Sequence, residues 1–322
     1  MRKAAIQSQA IPRSRYRNRN DNRSRAAPTI KTGSRVYDIC VYFLAGALCF
    51  ITLYPMYYVL ILSLSSPESV VLKSVYFWPK GIYLGSYGII VNDSRMWNAY
   101  LYTIVYVVSG TILMLMTSVS AAYPLTVKNL IGRKYVVTFL IIPMYFSGGL
   151  IPTYLLMTRL GLYNNIWAII VPSAFGIWNI ILMRTYFNSL PDSLRESAFI
   201  DGASHARIIL SIYIPLSKPI MAVISIYTIV GIWNSWFNAM VYLPNADIQP
   251  LQMYLRRVLV EQTVDLTKIV TAEEMETAVR RMRNALQLRY SMIVFCTLPV
   301  LLTYPFFQKH FVKGVMLGSL KG

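Results

Sequence analysis

Charge is what this sequence has little of. Asp, Glu, Lys and Arg make up 14% of its 322 residues, against about a quarter in a soluble domain, too few to coat a water-facing surface on a chain this long. Acids are the scarcer sign, 13 against 31 Lys and Arg. Histidine occurs only at His205 and His310, and cysteine only at Cys40, Cys49 and Cys296. An odd set of cysteines without ligand spacing reads as small apolar packing, and no His/Cys/carboxylate cluster offers a metal site. The G-x-x-x-x-G-K-[ST] loop that would cradle a nucleotide is absent. Together these exclude an ordinary cytosolic enzyme, a disulfide scaffold and an ATPase built on a P-loop of its own.

What is present is apolar length: 56% hydrophobic residues with a mean hydropathy of +0.48. Six runs are free of Asp, Glu, Lys and Arg: Ile39–Pro67, Met96–Val127, Tyr135–Thr158, Leu160–Met183, Pro219–Ala246 and Tyr290–Gln308. Each meets the roughly 20 residues a helix needs to cross a ~30 Å hydrocarbon layer. The predicted fold is an all-α membrane protein with six transmembrane helices, at about 39–64, 98–126, 135–157, 163–186, 219–243 and 289–308.

Positive charge sets the orientation, because Lys- and Arg-rich loops stay in the cytoplasm. With the N-terminus inside, the inner segments hold 20 Lys and Arg against five acids, and the outer segments hold 11 against eight. Both termini are therefore expected in the cytoplasm of a bacterial plasma (inner) membrane protein. Ten of the basic residues lie in residues 1–35. Without an aromatic platform beyond Tyr16, this tail reads as a disordered basic anchor at the lipid surface rather than an RNA-binding arm. Its length also argues against a cleaved signal.

Ionisable residues are nearly absent inside the spans. Proton- and sodium-coupled carriers keep them there as relays, and charge-selective channels ring their pores with them. The informative polar segment lies between spans four and five, in the cytoplasmic loop 189–217. Pro191 suits a first helical turn with Ser189 as a possible cap, Gly202 permits a sharp turn, and Pro215 and Pro219 close the segment as the chain re-enters the membrane.

Here the residues resemble a known family. Glu196-Ser197-Ala198, three residues, Gly202, nine residues, then Ile212-x-Ile214-Pro215 is similar to the E-A-A-x-x-x-G-x9-I-x-L-P loop of ABC importer permeases, departing at Ser197 and Ile214. Ile200-Asp201-Gly202-Ala203, Trp233-Asn234-Ser235-Trp236-Phe237-Asn238-Ala239 and the terminal Phe311–Val315 and Gly318–Gly322 resemble the carbohydrate branch, the second permease of maltose-type systems. The likeness covers residues 36–322 and leaves out the basic tail. It implies a type I ABC importer permease fold with a cytoplasmic coupling helix. It also implies partners: a second permease in a heterodimer, two ATP-binding subunits that hold ATP and Mg, and an external solute-binding protein. This chain itself would bind no cofactor and perform no chemistry. In the family's terms Glu196 is the charged contact to the ATPase, Ala198 the close-packing position and Gly202 the turn, with Ser197, Asp201, Ala203, Ile212 and Pro215 completing the loop.

Two further regions carry expectations. Trp178 and Asn179 in span four, and Trp233, Asn234, Trp236 and Asn238 in span five, offer the aromatic faces and amides that sugars need, although Asn in a span is more often glue between helices. The external loop 244–288, with balanced charges, reads either as a solvated lid or as a platform for the binding protein. Gly148, Gly149, Pro152 and Pro143 mark a bendable stretch in span three. Lys313, Gly314 and Lys321 form a terminal tail that is either a positive-inside flank or an ATPase contact. The expected function is import of a carbohydrate, an oligosaccharide, by alternating access. The alternatives are another solute for the same architecture, such as a peptide or polyamine, an autonomous carrier or channel, and, disfavoured, a membrane-embedded enzyme.

Overall fold

The computed structural model describes residues 35–261 and 272–319. Among them every regular element is helical. Four helices are long and apolar enough to cross a membrane, and six if each of two bent pairs is one span.

Residues up to Leu53 form a unit of their own. It comprises most of α1 (Arg35–Ser63), an apolar helix whose described side chains up to Leu53 are all at least partly exposed. The second unit starts at Tyr54. After α1 the chain makes a short turn of helix, α2 (Pro67–Val71), capped by Ser66, whose Oγ accepts from the Ser69 amide. α3 (Gly85–Asn92) leads into α4 (Ser94–Ala122), capped by Asp93 through the Arg95 amide at 2.9 Å.

α4 is the axis of the second unit. Around it pack α7 (Trp167–Ser173), α8 (Ile177–Asn188), α12 (Lys218–Trp233) and α14 (Leu251–Glu261). Gly110 in α4 allows the close approach, since a Cβ there would lie 2.7 Å from Ser173 Oγ and collide with Ile232. Small residues bring spanning helices together in this way. Two buried clusters follow α4 from end to end. One joins Met96, Tyr106, Ile170, Trp233, Leu251 and Met292. The other joins Met114, Tyr123, Met183, Phe187, Tyr213 and Ile224 at its C-terminal end.

The expected third span, 135–157, is two helices: α5 (Arg133–Tyr145) and α6 (Leu150–Arg159), meeting at 116°. The break falls at Gly149, whose φ of 84° with ψ of 179° is a backbone region essentially reserved for glycine. The expected fifth span, 219–243, is likewise interrupted. α12 ends at Trp233 with Asn234 as its C-cap, and α13 (Trp236–Tyr242) starts after Ser235. At the chain's end the last part of the expected outer loop 244–288 and the expected span 289–308 lie on one helix, α15 (Ala272–Ser319). Its 48 residues would measure about 72 Å, far more than a bilayer's hydrocarbon, so it extends beyond the membrane. A buried polar knot holds this helix in place. Gln287 donates to Ser63 O at 2.7 Å and to Ser291 Oγ at 3.2 Å, and accepts from Ser86 Oγ.

Candidate functional site

Between α8 and α12 the chain builds a knob. It consists of α9 (Asp192–Ile200), α10 (His205–Ile208), a π-helical turn Ile209–Tyr213 and a last turn, α11 (Ile214–Leu216). Then it bends by 80° into α12. Pro191 occupies the position before α9, while Ser189, expected as a cap, instead donates to Tyr186 O at 2.7 Å.

The pattern Ala198-x-x-x-Gly202 is explained by how α9 ends. Gly202 has φ +74°; its amide bonds Phe199 O at 3.0 Å, and the Ala203 amide bonds Ala198 O at 2.9 Å. These paired bonds make a Schellman cap, which satisfies the last carbonyls of the helix and turns the chain sharply. Ser204 then caps α10, its Oγ accepting from the Arg207 amide. One turn of sequence therefore sets both helices at a fixed angle.

The knob is tied firmly to the spans beneath it. Ala198 is buried, with Ala203 and Ile212 packed beside it in the cluster at the C-terminal end of α4. Tyr213 packs edge-on against Phe187 of α8, with centroids 4.9 Å apart, and against Tyr123 after α4, at 5.1 Å. Such pairs add about 0.5–1.5 kcal/mol each beyond burial. Tyr123 Oη and His205 Nδ1 share a hydrogen bond at 2.9 Å, and Tyr186 donates to Leu216 O at 3.1 Å. Asp192 takes Lys128 Nζ at 2.6 Å and Arg195 at 3.2 Å. The hydrogen bond from Lys128, aided by both positive charges, holds the Asp192 carboxyl below its usual range against a smaller opposing effect of burial. Arg195 itself is buried under the knob.

What the knob leaves outside is equally specific. Glu196, Ser197, Asp201, Gly202 and Pro215 are exposed. Beside Glu196 stands Ile200, 87% exposed, with Leu194 and Phe199 also outward. An isoleucine held exposed at the end of a rigid helix, between two acids, is an apolar contact left open by the described residues. In the sequence it is the first residue of the Ile200-Asp201-Gly202-Ala203 motif, directly before the turn.

The pore candidates separate. Asn179 and Asn238 line one pocket of about 280 Å³, together with Ser173, Ser235, Thr228 and Tyr227. None of its lining residues is charged. Trp178, 63% exposed, is not among them. Trp233 is buried and donates its Nε1–H to Cys296 O at 3.2 Å, so it binds α12 to α15. Asn234 is exposed at the C-cap of α12. Trp236 is exposed on α13, with Arg256 over its ring. Ser173 and Thr228 had no motif to single them out, and Ser235, though inside the Trp233–Ala239 motif, was not among the candidates, since hydroxyls in spans are common and gain meaning only by convergence.

At the opposite end of α4 from the knob, the segment 243–257 is pegged onto the helix. Tyr106 donates to Ile248 O at 2.6 Å, the Leu251 amide to Thr103 Oγ1 at 2.8 Å, and Tyr254 to Asp93 at 2.7 Å. Burial pushes the Asp93 carboxyl up, but the bonds from Tyr254 and the Arg95 amide, with the Arg95 charge, outweigh it and hold the group below its usual range. Lys313 and Gly314 fall on the last turns of α15. Lys321, the basic tail 1–34 and residues 262–271 lie outside the described residues.

Comparison with known proteins bears on both features. Residues 81–317 match the family model described as binding-protein-dependent transport system inner membrane component. The chain is 36% identical to Protein LplC of Bacillus subtilis (strain 168), covering 89% of this chain and 96% of that protein. It is 34% identical to the polygalacturonan/rhamnogalacturonan transport system permease protein YtcP of the same strain, covering 90% and 99%. In the crystal structure of a bacterial ABC transporter involved in the import of the acidic polysaccharide alginate, one chain superimposes with a TM-score of 0.78 at 33% identity, covering 87% of this chain and 99% of that one. With the six-run apolar pattern, the capped knob and these matches, the chain belongs to the family of inner membrane components of binding-protein-dependent transport systems and has the fold of an ABC importer permease, a subunit that works with a solute-binding protein and ATPase partners.

Proposed function

We propose that this chain is one of two different permeases that together form the pathway of an ATP-driven importer for an oligosaccharide. Two ATPase subunits dock beneath it in the cytoplasm and hold ATP and Mg, and an external binding protein delivers the solute. This chain binds no cofactor. Both termini face the cytoplasm, in keeping with the excess of Lys and Arg in the segments on that side.

The observation that carries this reading is the knob. It is rigid, because a Schellman cap and a buried aromatic cluster fix it to α4, α8 and α12. It also presents a surface, because Glu196 and Ile200 project outward and are exposed. A rigid lever on several spans can pass a partner's closure to the helices as a switch between two packings. The uncharged pocket between α4, α7, α8, α12 and α13 supplies hydroxyls and amides at span depth, the chemistry of a polyol path rather than of an ion path. A sugar is further favoured over a peptide or polyamine by relatives named for saccharides, among them an arabinooligosaccharides transport system permease, AraQ, of Halalkalibacterium halodurans, 25% identical.

The test is reconstitution in liposomes of the complete importer, with and without its ATPase subunits. ATP-dependent accumulation of a labelled oligosaccharide that requires the ATPase and the binding protein is expected. Uptake by this chain alone would make it an autonomous carrier, and accumulation of a peptide or polyamine in place of sugar would overturn the substrate reading.

A further inference from the structure

We propose that the oligosaccharide is acidic, and that Arg256, held over Trp236 between two residues that line the span pocket, Ser235 and Asn238, reads its carboxylate. This rests on the saccharide-permease reading above and names the substrate class of that site.

The argument begins with where charge is and is not. The pocket's polar groups are Ser173, Asn179, Ser235, Asn238, Thr228 and Tyr227, with no cation or acid among its lining residues. A carboxylate passing through it therefore has to be recognised before it enters. Ser235 and Asn238 line the pocket, and between them stands Trp236, 42% exposed. α14 brings Arg256 back over that ring, its guanidinium carbon 5.5 Å from the centroid. Among the described residues no acid pairs with Arg256.

The geometry suits a carboxylate. A guanidinium over an indole face is held there by the ring's charge distribution and keeps N–H groups free to grip a carboxylate in bidentate fashion. Held by the ring, it loses less freedom on binding than a free side chain would. The apolar C–H face of a pyranose can meet the neighbouring aromatic surface of Phe237, set edge-on to Trp236 at 5.7 Å. The acids Asp93 and Asp247 each share a cleft with Arg95 and Arg257. Asp93, in a cleft of about 210 Å³ shared with Arg95 and Arg257, accepts from Tyr254 and Arg95. Asp247 lies in a smaller adjoining cleft beside Arg95 and Arg257. A cation beside the pocket and none within it would attract an acidic chain and then let it move on, as passage requires. Two of the similar proteins are named for uronate polymers, polygalacturonan and alginate.

The experiment uses the complete reconstituted importer and five probes: tetragalacturonate, tetramannuronate, their methyl esters, which remove the charge and keep the chain, and maltotetraose. Initial uptake is measured for the native protein and for Arg256→Gln, together with each complex's melting temperature. The expected result is that an acid probe is preferred over its ester, and that Arg256→Gln lowers the acid-to-ester ratio about tenfold, the size of one lost charged hydrogen bond, with no shift in melting. Uptake of maltotetraose but of neither acid overturns the inference and leaves the saccharide-permease reading standing. A variant that keeps the acid preference, or loses both probes equally, overturns the role of Arg256. Failure of all five probes, with a peptide or polyamine accumulated instead, tells against the underlying reading itself.

Discussion

Gly202 shows how a short-range motif becomes a lever. Its φ of +74° costs an ordinary residue about 1–2 kcal/mol, whereas a Cβ would meet nothing within 4 Å. The expense is therefore conformational and not steric. Asparagine, which visits this region readily, should restore most uptake, while Gly202→Val should lower uptake and the melting temperature of the purified complex. Equal behaviour of the two variants would show that the turn does not need its left-handed residue. Asp192 makes a prediction about pH. Its carboxyl is held below the ordinary value of 3.8, so the tie to Lys128 and Arg195 is intact above that value and is lost as pH falls through the lowered one. Hydrogen exchange in α9, corrected for intrinsic rates, should rise only below about that pH, and Asp192→Asn should show the faster exchange at neutral pH. Glu196, Ala198 and Gly202 were legible in the sequence because a helix cap is written within a few residues. Tyr123, Phe187 and Tyr213, which hold the knob down, were not, since their contacts join segments far apart in the chain.

At the level of elements, a charge-free run reports where the chain can lie in lipid but not whether its backbone stays straight. The run through 135–157 contains Gly149 in a glycine-only conformation and divides into two helices at 116°; Gly148, Gly149 and Pro143 were the visible marks of that bend. The break after Asn234 in the fifth run had no comparable mark, because Asn and Ser continue many helices. It matters more, since it places Ser235 and Asn238 at the pocket and turns Trp233 into the core. In α15 the mixed charges before residue 290 suggested a separate outer segment, yet they lie on one helix with the span. The knot around Gln287 makes that continuity costly to disturb. Gln287→Leu would strip Ser86 and Ser63 O of a buried partner, a penalty of about 1–3 kcal/mol, read as a lower melting temperature of the purified complex. An unchanged value would show that the knot is dispensable.

For the whole molecule, the shortage of charge proved informative in two ways. The residues that are charged divide unevenly between the two sides expected of the spans, and the two given roles in the proposals stand at the two ends of α4: Glu196 on the knob, Arg256 over Trp236 at the far end. Between them the pocket is polar without charge. The fold class and the knob could be read from the sequence, because hydropathy and a cap motif are local. The pocket could not, because it is assembled from five helices whose polar residues are ordinary one at a time. The central claim is that the knob passes ATP-driven motion into that pocket's walls. It is tested most directly by measuring ATP hydrolysis and oligosaccharide uptake together in the reconstituted importer carrying Glu196→Lys. Uptake should fall at least tenfold while the chain remains inserted and folded. Native uptake per ATP hydrolysed in that variant would contradict it.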